Sequence, residues 1–210
     1  RRITLDEYVQ EKNLNDVDFL KIDTDGHDIE VLLGAEDTIR HRGVIGVMIE
    51  AQLHGACHPY ANTFSNIDGR LRDLGFTLFD IDIWRYSRRD LPDKFFYDLT
   101  GQTVTGPVQW GEAVYFRDLA DPAYAEMHGQ FGQGKCHRLA ALFEIFGLSD
   151  CAAQMLKLIY DKSKDSNYLD LLDMLTQKYR KTSLTYSQFL EEFDRDPKKF
   201  FPSQSTNTGQ

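Results

Sequence analysis

The chain is poor in cysteine, in basic side chains and in long apolar runs. Its three cysteines show no CxxC spacing, which predicts free thiols, a reducing compartment and hence a cytoplasmic location. An excess of 33 acidic over 24 basic side chains gives a formal charge of −9 and disfavours nucleic acid as a partner. No apolar run approaches the roughly 20 residues of a membrane-spanning helix. What remains is a globular chain with enough apolar residues for a core.

The first half of the chain alternates between strand and helix patterns. Residues 17–22 and 44–53 are apolar on both faces, which predicts strands covered by helices on two sides. Between them, residues 27–40 carry apolar side chains at spacings of three and four, which predicts one amphipathic helix. This order predicts two parallel strands joined by a helical crossover.

Further elements continue the α/β pattern. Thr4 is expected to cap a short first helix, and Ser65 or Asn66 is expected to cap a later one. Residues 76–84 predict a third strand, and residues 112–117 predict a last short strand that pairs antiparallel with its neighbour.

Beyond residue 120 the composition changes. Leucine and aromatic side chains recur at helical intervals, which predicts an all-helical region over residues 120–201 with caps at Ser149, Ser166 and Thr185. Residues 202–210 are rich in Ser, Thr, Asn and Gly and are expected to be a disordered tail. The helical region is a possible surface for a protein partner or for self-association.

Acidic and imidazole groups gather directly after the first predicted strand. Asp23, Asp25, His27 and Asp28 lie in the turn between residues 17–22 and the helix. Ligands bind beyond the carboxyl ends of strands in open α/β sheets, so this turn is the predicted site of chemistry. For Asp25 two interpretations stay open, a helix cap and a catalytic carboxylate.

A second group of polar side chains follows the next strand. Glu50, His54, Cys57 and His58 lie at its end and in the loop after it. Two histidines with carboxylates could bind a divalent ion, but loop histidines are more often solvated, so no metal site is predicted. Glu50 and His54 are instead expected to contact a substrate.

Three segments together resemble the FkbM-type methyltransferases. They are residues 4–8 (Thr-Leu-Asp-Glu-Tyr), residues 17–35 with a Leu-Lys-Ile-Asp strand and a closing Gly-Ala, and Glu50 at the end of the next strand. The likeness extends over about residues 3–119. It implies the second half of a Rossmann-like class I methyltransferase sheet, here a partial methyltransferase domain over residues 1–119 followed by the helical extension.

The resemblance also implies what this chain does not carry. In the family a Gly-rich loop and a ribose-binding acid for S-adenosylmethionine precede the Thr-Leu-Asp helix, and neither is present upstream here. We therefore expect that the natural protein is longer or that this sequence is an incomplete record. The isolated chain is expected to be inactive, with weak or absent cofactor binding. Asp25 and Asp28 stand where the family usually has Glu, which shortens each side chain by one methylene.

Two functions are therefore considered. The first is methyl transfer from S-adenosylmethionine to a hydroxyl of a small molecule or glycan. The resemblance then implies catalytic roles for Asp23, Asp25 and His27 near the acceptor, which Glu50 and His54 contact. The second is a non-catalytic interaction module, in which a degenerate methyltransferase core presents the helical region to a partner.

Overall fold

A computed structural model describes residues 2–90, 106–122, 124 and 131–200. The chain divides into two compact units, Arg1–Phe131 and Gly132–Gln210. The first contains helices and strands, and the second contains helices. Among the described residues there are eight α-helices and one four-stranded sheet.

The first unit is an α/β structure with a mixed sheet. Its elements are, in order, α1 (Leu5–Glu11), β1 (Phe19–Ile22), α2 (Asp28–Leu33), α3 (Glu36–His41), β2 (Gly46–Gln52), α4 (Phe64–Asp73), β3 (Thr77–Arg85) and β4 (Val108–Phe116). The strand order is β1-β2-β4-β3. Strands β1 and β2 are parallel, as predicted, and β4 pairs antiparallel with both β2 and β3. The last strand therefore lies between β2 and β3 and is longer than predicted.

One face of the sheet packs against helices. In β2, the buried residues Val47, Ile49 and Ala51 alternate with half-buried ones. The buried set packs in one cluster with apolar residues of α2 and α4. The other face carries Glu50 and the exposed Lys21 of β1, and Val114 and Phe116 of β4 are buried there. Helical cover of this second face stays a prediction.

The single helix predicted over residues 27–40 is in fact two helices, α2 and α3, which are separated at Gly34. The carbonyl of Gly34 accepts the backbone N–H of Asp6 at 3.0 Å, and a Cβ on Gly34 would lie 3.2 Å from the Thr4 Cβ. The Asp6 carboxylate in turn accepts the N–H groups of Asp37 and Thr38 at the start of α3. Docking of α1 thus ends one helix and caps the next.

The helix caps agree with the sequence in part. Thr4 caps α1 through a reciprocal capping box with Glu7, as predicted. Helix α4 begins two or three positions earlier than expected, because Thr63 occupies the cap position and neither Ser65 nor Asn66 does.

The second unit contains α5 (Gln133–Ile145), α6 (Ser149–Ser163), α7 (Asn167–Thr176) and α8 (Tyr186–Arg195), with short 3₁₀ turns at Gln177–Tyr179 and Pro197–Lys199. Thr185 caps α8 with a capping box, and Ser166 occupies the cap position of α7. Ser149 is the first residue of α6 and not its cap, because its hydroxyl donates to Glu144. The predicted tail over residues 202–210 lies outside the described residues. Within the described part of the chain, no helix has the length and apolar character needed to cross a bilayer.

Candidate functional site

A tight turn joins β1 to α2. Its backbone adopts left-handed conformations at Asp25, with a φ of 52°, and at Gly26, with a φ of 99°. Glycine tolerates such a φ without a steric penalty, and Asp is among the few other residues that visit this region. The turn thereby reverses the chain directly after Asp23 and begins the helix at Asp28.

Asp28 holds this turn together from inside. Its side chain is fully buried and accepts the backbone N–H of Thr24 at 2.8 Å, the Thr24 hydroxyl at 3.0 Å and the Gly26 N–H at 3.3 Å. A fourth donor is the side-chain amide of Asn62, at 2.9 Å. Asp28 therefore organises the turn and is occupied by four donors.

Asn62 is a residue that the sequence did not single out. Its amide oxygen accepts the N–H of Ile29 at 2.9 Å, in the first turn of α2. The cap position of α2 is His27, whose side chain makes no capping hydrogen bond, so the interpretation of Asp25 as the cap is wrong. Local sequence carried no signal for Asn62, because it lies 34 positions from its partner Asp28.

Carboxylates converge on the carboxyl ends of the two parallel strands. Burial raises the pKa of Glu50, and the negative charges of Asp28, Asp23, Asp25 and Glu112 raise it further. Glu112 stands directly opposite Glu50 in the β2–β4 pairing. We call these five residues the carboxylate cluster. Within it, Glu50 is the carboxylate that the surroundings predispose to hold a proton.

One lysine compensates part of this charge. The ammonium group of Lys21 lies 3.0 Å from a Glu112 oxygen and 3.4 Å from an Asp23 oxygen. The hydrogen bond that Lys21 donates to Glu112 is the main cause of the raised pKa of Lys21. Lys21 thus fixes two carboxylates at the rim of the cluster and leaves Glu50 without a cation partner among the described residues.

The other predicted site residues lie apart from the cluster. The side chain of His27 is 76% exposed, and its nearest charged partner is Glu30 at 3.4 Å. His54, Cys57 and His58 line a cleft of about 880 Å³ between their loop and α4, and no member of the carboxylate cluster lines that cleft. Among the described residues, no group of three or more His, Cys, Asp or Glu side chains is arranged to hold a metal ion.

Gln52 connects the two regions. It lines the cleft, and its side-chain nitrogen would lie 3.6 Å from a Cβ built on Gly26 in the turn. It also lies two positions after Glu50 on the same face of β2. The cleft and the carboxylate cluster therefore lie next to each other, on either side of the Gln52 side chain.

The raised pKa of Glu50 makes a prediction for stability. An acid whose pKa is higher in the folded than in the unfolded protein destabilises the fold at high pH. The free energy of unfolding falls as the pH rises from the pKa of the unfolded state through the pKa of the folded state. Glu50→Gln should therefore raise the melting temperature at pH 8, and the gain should disappear near pH 4. Thermal unfolding followed by circular dichroism at both pH values measures this.

Glu36→Gln is the matched control, because Glu36 makes an exposed ion pair with Arg40. Its effect should be small at pH 8, within about 0.5 kcal/mol. A melting temperature that falls at pH 8 for Glu50→Gln would show that its carboxylate stabilises the fold.

Comparison with protein families identifies one match. The model of the methyltransferase FkbM domain matches residues 1–78, from the segment before α1 to the start of β3. The resemblance seen in the sequence is therefore confirmed over these residues, and it indicates methyl transfer in general. No curated protein matches the chain significantly. No solved structure does so either.

In the turn after β1, two of the backbone N–H groups that the methyl donor implied by this family would require are already occupied. Open backbone N–H groups in a turn after a strand are what bind the polar groups of a nucleotide-like cofactor. In the turn after β1, the N–H groups of Thr24 and Gly26 are already bonded to Asp28. We therefore assign no contact of these residues to S-adenosylmethionine.

Proposed function

We propose that this chain supplies the acceptor side of an S-adenosylmethionine-dependent methyltransferase that acts on a hydroxyl of a small molecule or glycan. The family match over residues 1–78 supports methyl transfer. The observation that carries the acceptor assignment is the partial burial of Glu50 beside converging carboxylates, which together raise its pKa. Perturbed acids at the carboxyl ends of parallel strands are typical of functional sites.

A hydroxyl oxygen that gains a methyl group must lose its proton. Glu50 is the proposed proton acceptor, because a base works best when its pKa lies closer to the working pH than that of an ordinary carboxylate. Asp23 and Asp25 act through their negative charge, which raises the pKa of Glu50. The role of His27 stays a prediction from the resemblance.

One feature of the sheet supports a larger protein with this activity. Strand β1 is an edge of the sheet, with β2 on its one paired side. An open edge of this kind is suited to pairing with a further strand, and we propose that the complete fold adds strands there together with the donor-binding loop. The three cysteines, all among the described residues, form no disulfide bond, which supports a cytoplasmic location.

The test measures transfer of a labelled methyl group by the full-length protein to a panel of monosaccharides and glycans. Glu50→Gln should lower kcat/KM by about a hundredfold, because general-base catalysis contributes at least that factor. Asp23→Asn should have a smaller effect in the same direction, and Glu36→Gln should have none.

Equal rates for Glu50→Gln and the wild type would remove Glu50 from the mechanism. A methyl group recovered on nitrogen instead of oxygen would overturn the hydroxyl assignment.

One observation favours the interaction module as a second candidate. In the helical unit, Leu171 and Met174 are 44% and 71% exposed and line one cleft together with Leu156 and Leu175. Contiguous exposed apolar side chains are typical of protein interfaces. A full-length protein that is folded but transfers no methyl group would favour this module over the enzyme.

A further inference from the structure

We propose that the acceptor binds in the cleft between residues 53–59 and α4, and that it carries an anionic group, a phosphate or a carboxylate, which Arg70 holds. This inference rests on the proposed function and names the class of its substrate. The cleft has a volume of about 880 Å³, which is within the range of small-molecule sites.

One face of α4 forms a wall of the cleft. Ser65, Asn66, Gly69, Arg70 and Asp73 line it, whereas the opposite face of the helix packs into the core. Gly69 is the smallest residue of this wall, and a Cβ built on it would have no heavy atom within 4 Å. Glycine inside a helix is unfavourable. No neighbouring atom would clash with a larger side chain at this position. We therefore attribute Gly69 to the open space that it leaves in the cleft.

Arg70 is the cation of this wall. Its guanidinium makes no hydrogen bond or ion pair with the described residues, whereas Arg72, two positions later, is bonded to Asp68 at 2.8 Å. Guanidinium groups bind phosphates and carboxylates through paired hydrogen bonds. Among the residues that line the cleft, Asp73 is the one acid. Arg70 is therefore the group best suited to an anionic ligand.

The charges around the cleft would orient such a ligand. Arg70, His54 and His58 line it, and the carboxylate cluster lies beyond Gln52. An anionic group is attracted to Arg70 and repelled by the carboxylates. The anionic end of the acceptor should therefore lie away from the cluster, with a neutral hydroxyl directed towards Glu50.

Isothermal titration of the full chain with four probes tests this proposal. Glucose 6-phosphate and glucuronate carry the two anions on a hydroxyl-rich ring, glucose carries neither, and inorganic phosphate lacks the ring. At least one of the two anionic sugars should bind more tightly than glucose and than inorganic phosphate, and the tighter one identifies the anion. Arg70→Gln should weaken that binding about tenfold or more, because it removes a charge-assisted hydrogen bond.

Arg72→Gln is the matched control, because it removes the same charge from the same helix outside the cleft. It should leave the affinity within about twofold, as expected for a distant surface charge. Gly69→Leu fills the cleft and should abolish binding of the sugar while the melting temperature stays equal or rises, since leucine is the better helix former.

Several results would overturn the proposal. One is that glucose binds as tightly as the anionic sugars, or that no sugar binds. Another is that Arg70→Gln and Arg72→Gln lose equal affinity. Inorganic phosphate that binds as tightly as the sugar phosphate would indicate an adventitious ion only. Titration needs no methyl transfer, so these outcomes are independent of the Glu50→Gln activity test. Cleft binding with unchanged Glu50→Gln activity would reject only the proposed mechanism.

Discussion

Replacement of Asp28 by alanine is expected to lower the free energy of unfolding by about 3–5 kcal/mol, which is at the upper end of the range for single substitutions. The carboxylate is fully buried and accepts hydrogen bonds from Thr24, Gly26 and Asn62. Alanine would leave the buried Asn62 amide and the half-buried Gly26 N–H without this acceptor, and it would release the two donors of the exposed Thr24. Urea denaturation of the variant and the wild type measures the difference.

Asp37→Ala is the control for this substitution. It removes the same charge from an exposed helix position, where Asp37 faces His41 at 3.6 Å, and should cost less than about 1 kcal/mol. The turn that carries Asp23 and Asp25 depends on Asp28, so Asp28→Ala should also lower methyl transfer. A loss of stability no larger than that of Asp37→Ala would contradict the proposed role of Asp28.

Asn62 provides a check on the same network. Asn62→Ala removes both the donor to Asp28 and the cap of Ile29. Because the two side chains share a hydrogen bond, the double variant should lose less stability than the sum of the two single losses. Additive losses would show that the two residues act separately.

Much of the fold follows from patterns that are local in sequence. The two-faced apolar segment of β2 and the strand patterns of β1 and β3 are set by their own residues, and all three strands form as predicted. The positions of Asp23 and Glu50 at the ends of parallel strands follow from the same patterns, because parallel strands end at one edge of the sheet. Their proximity is thus readable from the sequence, although their roles stay predictions.

Other features depend on contacts between distant segments. The break at Gly34 results from the docking of Thr4 and Asp6 and not from the helical period. The insertion of β4 between β2 and β3 is a choice of strand partner that apolar spacing does not encode. The sequence placed Asp28 in the predicted site turn, and its burial beside Asn62 became apparent only in three dimensions.

Arg117 illustrates the same limit and leads to the second large effect. It follows β4 directly and is 4% exposed. Its guanidinium donates to the carbonyls of Leu74 at 2.7 Å, Val44 at 2.9 Å and Ile39 at 3.3 Å, and lies 4.3 Å from the ring centre of Phe76. Burial lowers its pKa to about 10. The side chain therefore ties together the segments that precede β2 and β3.

Arg117→Met should reduce the free energy of unfolding by about 3 kcal/mol or more, because three carbonyls lose a donor and each unsatisfied one costs about 1–3 kcal/mol. The methionine variant no longer has the desolvation cost of a buried charge, and this gain offsets part of the lost stability. Arg117→Lys should recover less than half of the loss, since one ammonium group cannot reproduce the planar fork. Chemical denaturation of both variants measures the two values.

Arg40→Met is the control for Arg117, because it removes a guanidinium whose partner Glu36 is at the surface. Its cost should stay within about 1 kcal/mol. If Arg117→Met were as stable as the wild type, burial of the cation would cost as much as its three hydrogen bonds contribute. Arg117 would then serve to select the arrangement of these segments and not to stabilise it.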